Sequence, residues 1–385
     1  MLGPGHGGWG IRLLQEITSV LQDSTRKLLQ VSQPPIKYYL LTDVMARKPD
    51  DPLVRRTLKE CESYLPRIRL LKALRKDGTW PISRPRKLAE DAGPGLPIGW
   101  TYITMLRNLY QLREYQTAME EGFVGNALER ILSWQTDEGY IPGPFSREIP
   151  LPHYNGFALR GLLSYGMEKD PRVQKLIKWI FKMQRKDGGW VVPYVEDMRY
   201  LPQYKQMRMH EFLEVVQSGQ IRDYDPSQYE HVPSCIWSTV MVVRGMCQSF
   251  ELARRDEVRR AANFILDRFF KKNYHSTFYH SEDIWTRLKH PSYYGSGLLA
   301  FDFLTWLGFG SKDPRTDKPL RWLLSMRGRD GFWSQSDRPH PEKDQWITEI
   351  ALSILNRYAL SIRGEPFGYI AEQMSGRMTK SGSPL

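Results

Sequence analysis

"KWIFKMQRKDGGW", residues 178–190, reads as the last turns of a helix that a tight Asp-Gly-Gly turn closes on a tryptophan. Nearly the same phrase recurs as LKALRKDGTW (71–80), ILSWQTDEGY (131–140) and LLSMRGRDGFW (323–333). Reading backwards from it, EKDPRVQK and SKDPRTDK both open on Asp-Pro and reach Asp-Gly 17 residues later, from Asp170 to Asp187 and from Asp313 to Asp330. PDDPLVRR repeats the opening at Asp51 and Pro52, with a longer helix expected before Asp77. An Asp N-cap accepts the orphan N–H groups of a first turn, and a proline placed next loses no hydrogen bond there. Gly78, Gly188 and Gly331 can take the left-handed conformation that ends a helix, letting the tryptophan fold back as an apolar plug. Each phrase is therefore an amphipathic helix with a defined start and stop.

Between these helices lies a second kind, poor in charge and rich in small and aromatic residues: PIGWTYITMLRNLYQL, LPHYNGFALRGLLSYG, VPSCIWSTVMVVRGMCQSF, PSYYGSGLLAFDFLTWLGF and QWITEIALSILNRYAL. Such stretches are apolar nearly all round and belong inside. With PIKYYLLTDVMAR near the start, the chain makes about six alternations of a buried and an amphipathic helix, the mark of a repeat architecture. The expected fold is all-α, an (α/α)6 barrel or toroid of about six inner and outer helix pairs. Its expected division is an N-terminal helical segment over 1–35, the toroid over 36–373 with an insertion at 191–230, and a flexible tail over 374–385.

The 385 residues, 41% hydrophobic and 12% aromatic, suffice for a large core. No run approaches a membrane span, and the N-terminus lacks the basic region and cleavage site of a signal peptide. Three cysteines, Cys61, Cys235 and Cys247, are too few for a disulfide framework and fit a reducing compartment, so the expectation is a cytoplasmic protein. Peripheral contact with a membrane stays open, as does the oligomeric state. The net charge of +12 comes from lysines and arginines scattered along helices, not blocked into a tail, which argues against a nucleic-acid partner.

The phrase WIFKMQRKDGGW, with Gln184, Gly189 and Trp190, resembles the QW repeat of squalene and hopene cyclases, whose helix pairs are related to those of protein prenyltransferase β subunits. The resemblance covers roughly residues 36–360, with Gln135 a second match to the glutamine. It implies that Gln and Trp brace adjacent outer helices, and that the chain handles an isoprenoid or other apolar molecule in a central cavity. It also marks departures. The Asp-x-Asp-Asp acid of squalene-type cyclases is missing, the nearest pair being Asp223 and Asp225 in a loop, and Asp50 and Asp51 serve a helix cap. The prenyltransferases hold zinc with Asp, Cys and His at inner-helix heads; here HPSYYGSGL resembles their His-containing helix start, and the implied ligands are His231, Cys235 and His290. The plain alternative is a buried thiol with two histidines.

Inner helices running in parallel gather their N-termini at one mouth, where positive dipole ends suit an anion. Trp100, His153, Tyr154, Trp237, Tyr293, Tyr294 and Trp346 are expected there, with Asn155 and Gln345, as an aromatic lining with a polar rim. Arg107, Arg160 and Arg244 each follow an aromatic head residue by seven positions, placing three arginines at one level with Asp302 aligned to them. Facing the lumen, they would grip a diphosphate; facing outward, they would make salt bridges. Asp302, Glu349 and His153 are the candidate acids and bases. The long Tyr- and Met-rich segment from 191 to 229 reads as a lid, or equally as an ornament or oligomer contact. A noncatalytic toroid that binds a lipid, peptide or protein is the competing reading.

Overall fold

The computed structural model describes residues 6–81, 99–143, 150–191, 233–273, 282–293, 295–336, 338 and 340–374, with single positions 207, 211 and 215; the side chains of 6–9 and 99–100 fall outside it. Among these residues the chain is all-α, without a strand. No described helix is long and apolar enough to cross a membrane. In chain order the helices are α1 (His6–Val31), α2 (Pro34–Tyr39, continued by a π-turn over Leu40–Val44), α3 (Pro52–Glu62), α4 (Leu65–Ala73), α5 (Gly99–Glu114), α6 (Val124–Leu132), α7 (Pro152–Ser164), α8 (Pro171–Lys182), α9 (Ile236–Met246), α10 (Phe250–Ala253), α11 (Asp256–Leu266), α12 (Asp283–Thr286), α13 (Gly297–Trp306), α14 (Asp317–Ser325), α15 (Pro341–Arg363) and α16 (Tyr369–Met374).

The chain divides into two compact units, one of residues 65–281 and one of 1–64 with 282–377. In the first, the charge-poor helices α5, α7 and α9 lie side by side, and α4, α6, α8 and α11 pack against them. Every residue of α9 is buried, as its composition demands, whereas α8 buries Val173, Leu176, Ile177 and Ile180 at the spacing of one helical face. Two glycines set the distance between α7 and α9. A Cβ on Gly156 would stand 2.6 Å from the Val242 Cα, and one on Gly245 only 2.4 Å from the Gly156 carbonyl, so the two backbones touch. In the second unit α13, α15 and α2 make the corresponding row, with α14 on α13, α1 on α15 and α3 on α2.

The repeated turn works the same way each time. The indole N–H of Trp80, Trp190 and Trp333 donates to the carbonyl ten residues earlier, Leu70, Ile180 and Leu323, at 2.8, 2.8 and 2.7 Å. Each tryptophan thereby satisfies an orphan carbonyl in the last turn of the helix before it. The glycines take positive φ, +82° at Gly78, +104° at Gly139, +92° at Gly188 and +95° at Gly331. Gly78, Gly139 and Gly188 also lie flat on the next amphipathic helix, where a Cβ would stand 2.5 Å from the Asn126 carbonyl, 2.8 Å from that of Lys175 and 2.9 Å from that of Arg260. Gln135 and Gln184 complete the junction. The amide of Gln135 donates to the carbonyls of Gly139 and Arg172, both at 2.8 Å, and that of Gln184 to Gly188 at 2.8 Å and Glu257 at 2.7 Å.

Several expectations need correction. The helix from Pro52 does not run through to Asp77; it stops at Glu62 and restarts at Leu65, because Pro66 has no N–H to continue the ladder. Tyr140 is not the tryptophan's counterpart. Counting four residues from Gln135 to Gly139, as from Gln184 to Gly188, puts Ile141 in that place, and Tyr140 packs instead on Trp179, 5.3 Å between centroids. The fifth inner helix begins only after Ser296, whose hydroxyl caps the Leu299 N–H at 3.4 Å, so His290 and Tyr293 precede it in the loop. The Asp-Pro caps are as read: Asp51, Asp170 and Asp313 accept from the N–H two residues on at 2.8, 2.8 and 3.1 Å. At Gly331 the helix met by the turn is α1, where the Ser24 hydroxyl donates to the Gly331 carbonyl at 2.7 Å and Arg327, in the glutamine's position, reaches Ser24 and Asp23.

Two glycines with the same φ separate strain from contact. Gly308 also sits at +92°, yet a Cβ there meets nothing within 4 Å. Gly308→Ala should cost about 1–2 kcal/mol from backbone strain alone, and Gly188→Ala about 1–3 kcal/mol more from the collision with α11. Urea denaturation of both variants measures the difference, and equal losses would mean that Gly188 does not lie on α11.

Candidate functional site

The aromatic head residues come together, within each unit, as stacked groups. On α7, Pro152 starts the helix and puts His153 and Tyr154 in its first turn, both buried. Their rings lie 4.4 Å apart, Tyr154 lies 6.1 Å from Tyr102 of α5, and Tyr102 meets Trp134 edge-on at 5.8 Å. Among the described residues, the Tyr102 hydroxyl and the His153 Nδ1 are buried without a hydrogen-bond partner. Burial pushes the His153 imidazole down to about 3, so it is neutral at ordinary pH and cannot serve as a cationic acid. In the other unit the His290 ring stacks on Trp346, 5.1 Å apart and 17° from parallel, and Tyr39 lies across the same indole at 5.7 Å. Trp237 is buried in the first turn of α9, and Tyr293 is half-buried. The Trp100 side chain, Tyr294 and His231 lie outside the described residues.

Other head residues serve the turns. Asn155 accepts the Ile141 N–H at 2.8 Å and donates to the Ile141 and Leu151 carbonyls at 3.0 and 3.1 Å. Thr239 and Thr348 accept the backbone N–H of Trp190 and Trp333, both at 3.0 Å, filling the role Asn155 plays for Ile141. Gln345 holds the α1–α2 junction by accepting from Gln33 and donating to Val31.

The candidate acids are engaged. Asp302 accepts from Arg357 of α15 at 2.7 Å, and Arg357 also donates to the Asp302 carbonyl and to Thr305. Glu349, buried, accepts from the Ser353 hydroxyl at 2.9 Å. Sequence reading missed Arg357. The signal was there: a lone cation in the apolar run ILNRYALSI needs a buried counter-charge.

Arg160 and Arg244 converge on the ring of Tyr110, their guanidinium carbons 3.9 and 5.9 Å from its centroid. Tyr110 was not singled out from sequence. It lies on α5, three residues past Arg107, and its hydroxyl bonds Glu114. Burial, mainly, with Glu114, pushes its phenol up to about 12, so the ring is neutral.

The zinc expectation keeps two describable ligands, Cys235 and His290, one in each unit. Cys235 is the N-cap of α9, and its sulfur accepts from Asn273 at 3.3 Å. Among the described residues no three His, Cys, Asp or Glu side chains converge on a metal position. The 191–230 insertion lies almost wholly outside the described residues, but its base is closed. The Cys235 N–H donates to the Trp190 carbonyl at 2.9 Å, and Asp187 accepts from the N–H and hydroxyl of Ser234 at 2.9 and 2.6 Å. The described residues on either side of the segment thus meet.

Two outcomes follow from the buried titratable groups. A histidine held neutral in the fold binds its proton only in the unfolded chain between about pH 6.5 and 3, so stability falls on acidification through that window. Wild type should lose up to about 1.4 kcal/mol per pH unit more than His153→Phe between pH 6 and 4, read by denaturant titration; parallel curves would mean the imidazole is solvated. Asp302→Ala should cost about 3–5 kcal/mol by leaving Arg357 buried and unpaired, and the double variant Asp302→Ala/Arg357→Met should recover most of it. No recovery would show that Asp302 acts independently of Arg357.

No protein-family model matches the chain, and a search of curated proteins finds no match.

Proposed function

We propose that the chain is an isoprenoid-handling protein, built as an (α/α)6 toroid of the terpenoid cyclase and protein prenyltransferase type, that takes an apolar prenyl chain against the aromatic heads of its inner helices. One observation carries the reading: Gln135 and Gln184 each donate across to a carbonyl in the first turn of the next amphipathic helix, the bracing role of the QW repeat. Each unit by itself holds three charge-poor helices in a row with amphipathic helices packed on them, the local pattern that such a toroid repeats. Within the unit of residues 65–281, the paired rings of His153 and Tyr154 have π-faces of the kind that suits an unsaturated chain or a developing carbocation.

The engagement of Asp302 by Arg357 and of Glu349 by Ser353 favours a second reading, a toroid that binds its ligand without chemistry. On the enzymatic reading, catalysis would depart from the family's acid motif. Purified protein incubated with farnesyl diphosphate, geranylgeranyl diphosphate and squalene, followed by mass spectrometry and by quenching of tryptophan fluorescence, separates the two. New products support the enzyme; quenching without products supports the binding toroid. Neither response to any of the three overturns the isoprenoid reading.

A further inference from the structure

We propose that the Tyr102 hydroxyl and the His153 imidazole form a subsite for the uncharged, hydrogen-bonding end of an apolar ligand, an alcohol in place of a diphosphate. The subsite rests on the isoprenoid reading and names the ligand's polar end. The two side chains sit at the heads of neighbouring charge-poor helices, α5 and α7, within the unit of residues 65–281. Both rings lie against Tyr154, 6.1 and 4.4 Å between centroids, and Tyr102 also meets Trp134 at 5.8 Å. Tyr102 is fully buried and His153 is 8% exposed. Among the described residues, neither the hydroxyl nor Nδ1 has a hydrogen-bond partner.

The same packing satisfies comparable groups nearby. Tyr165, at the other end of α7, donates its hydroxyl to the Leu109 carbonyl of α5 at 3.3 Å. Asn155, two residues past His153, bonds the backbone of Ile141 and Leu151 through both ends of its amide. Two polar atoms left over in such surroundings cost stability unless something else meets them. Burial raises the Tyr102 phenol well above its ordinary value and lowers His153 to about 3, so both groups are neutral at ordinary pH. They are dipoles, not charges. With the imidazole proton on Nε2, Nδ1 accepts, so a ligand hydroxyl that accepts from the phenol and donates to Nδ1 supplies what each atom lacks. A diphosphate only accepts, and it would surrender its hydration against neutral groups.

Titration of the full chain with farnesol, farnesyl diphosphate and farnesene, followed by tryptophan fluorescence, tests the subsite, since Trp134 touches Tyr102. Wild type should bind farnesol about tenfold tighter than the hydrocarbon, as two added hydrogen bonds allow, and tighter than the diphosphate. Tyr102→Phe, which removes only the oxygen, should weaken farnesol about threefold to tenfold and leave farnesene unchanged. Its melting temperature should hold or rise, because an unpaired hydroxyl has left the core. His153→Phe should show the same selective loss, and it serves if the first variant does not fold. Tighter binding of the diphosphate than of farnesol, or an equal affinity of Tyr102→Phe and wild type for farnesol, would each overturn the subsite. A lowered melting temperature with farnesol binding intact would do the same, by assigning the hydroxyl to structural water. Binding of farnesene without preference for farnesol overturns the subsite and leaves the isoprenoid reading standing, whereas binding of none of the three ends both.

Discussion

A glycine pressed flat against the backbone of the following helix is the constraint on which the rest of this structure depends. Gly78, Gly139 and Gly188 each approach a carbonyl so closely that no side chain fits, and that approach fixes the distance from one helix pair to the next. Once the distance is fixed, Gln135 and Gln184 can reach a carbonyl across the gap, and the tryptophans can turn back onto the helix just ended. The repeated sequence phrase is the record of one mechanical joint used several times. Its residues vary where the joint permits: Ile141 fills the tryptophan's place and Arg327 the glutamine's, while the positive φ of the glycine does not change.

The joint also explains which polar groups at the inner-helix heads are structural. The turns at Ile141, Trp190 and Trp333 each leave a backbone N–H facing the next charge-poor helix, and a buried donor must find an acceptor. Asn155, Thr239 and Thr348 supply it, so these side chains are consumed by the fold. Tyr102 and His153 are not consumed in this way. Among the described residues, the Tyr102 hydroxyl on α5 and the His153 Nδ1 on α7 are buried without a hydrogen-bond partner, which is the usual mark of a place kept for something other than stability.

Sequence alone reached the helix class, the alternation of buried and amphipathic segments and the Asp-Pro caps, because these rest on local chemistry and on short periods. It missed what depends on tertiary register. Whether Tyr140 or Ile141 takes the tryptophan's place differs by one residue and is set by the glycine's φ, which letters do not display. The late start of α13 follows from the Ser296 cap, where PSYYGSGL reads equally well as a helix from its proline. Asp302 was legible as a charge needing a partner but not as the partner of Arg357, since the two lie 55 positions apart. The arginines at seven-residue spacing were visible as a layer, whereas their convergence on Tyr110 required knowing that α7 and α9 touch.

The turn at Gly331 closes on α1, through a hydrogen bond from Ser24 that spans 307 residues. During synthesis the amphipathic face of α1, with Leu13, Ile17 and Leu28, emerges long before the turn that will cover it. At about 5–20 residues per second that delay is on the order of 15–60 seconds. The last joint of the fold is therefore the slowest to form for reasons of order and not of strength. An apolar stripe left waiting that long is a natural handle for chaperones and the segment from which misassembly between nascent chains would begin.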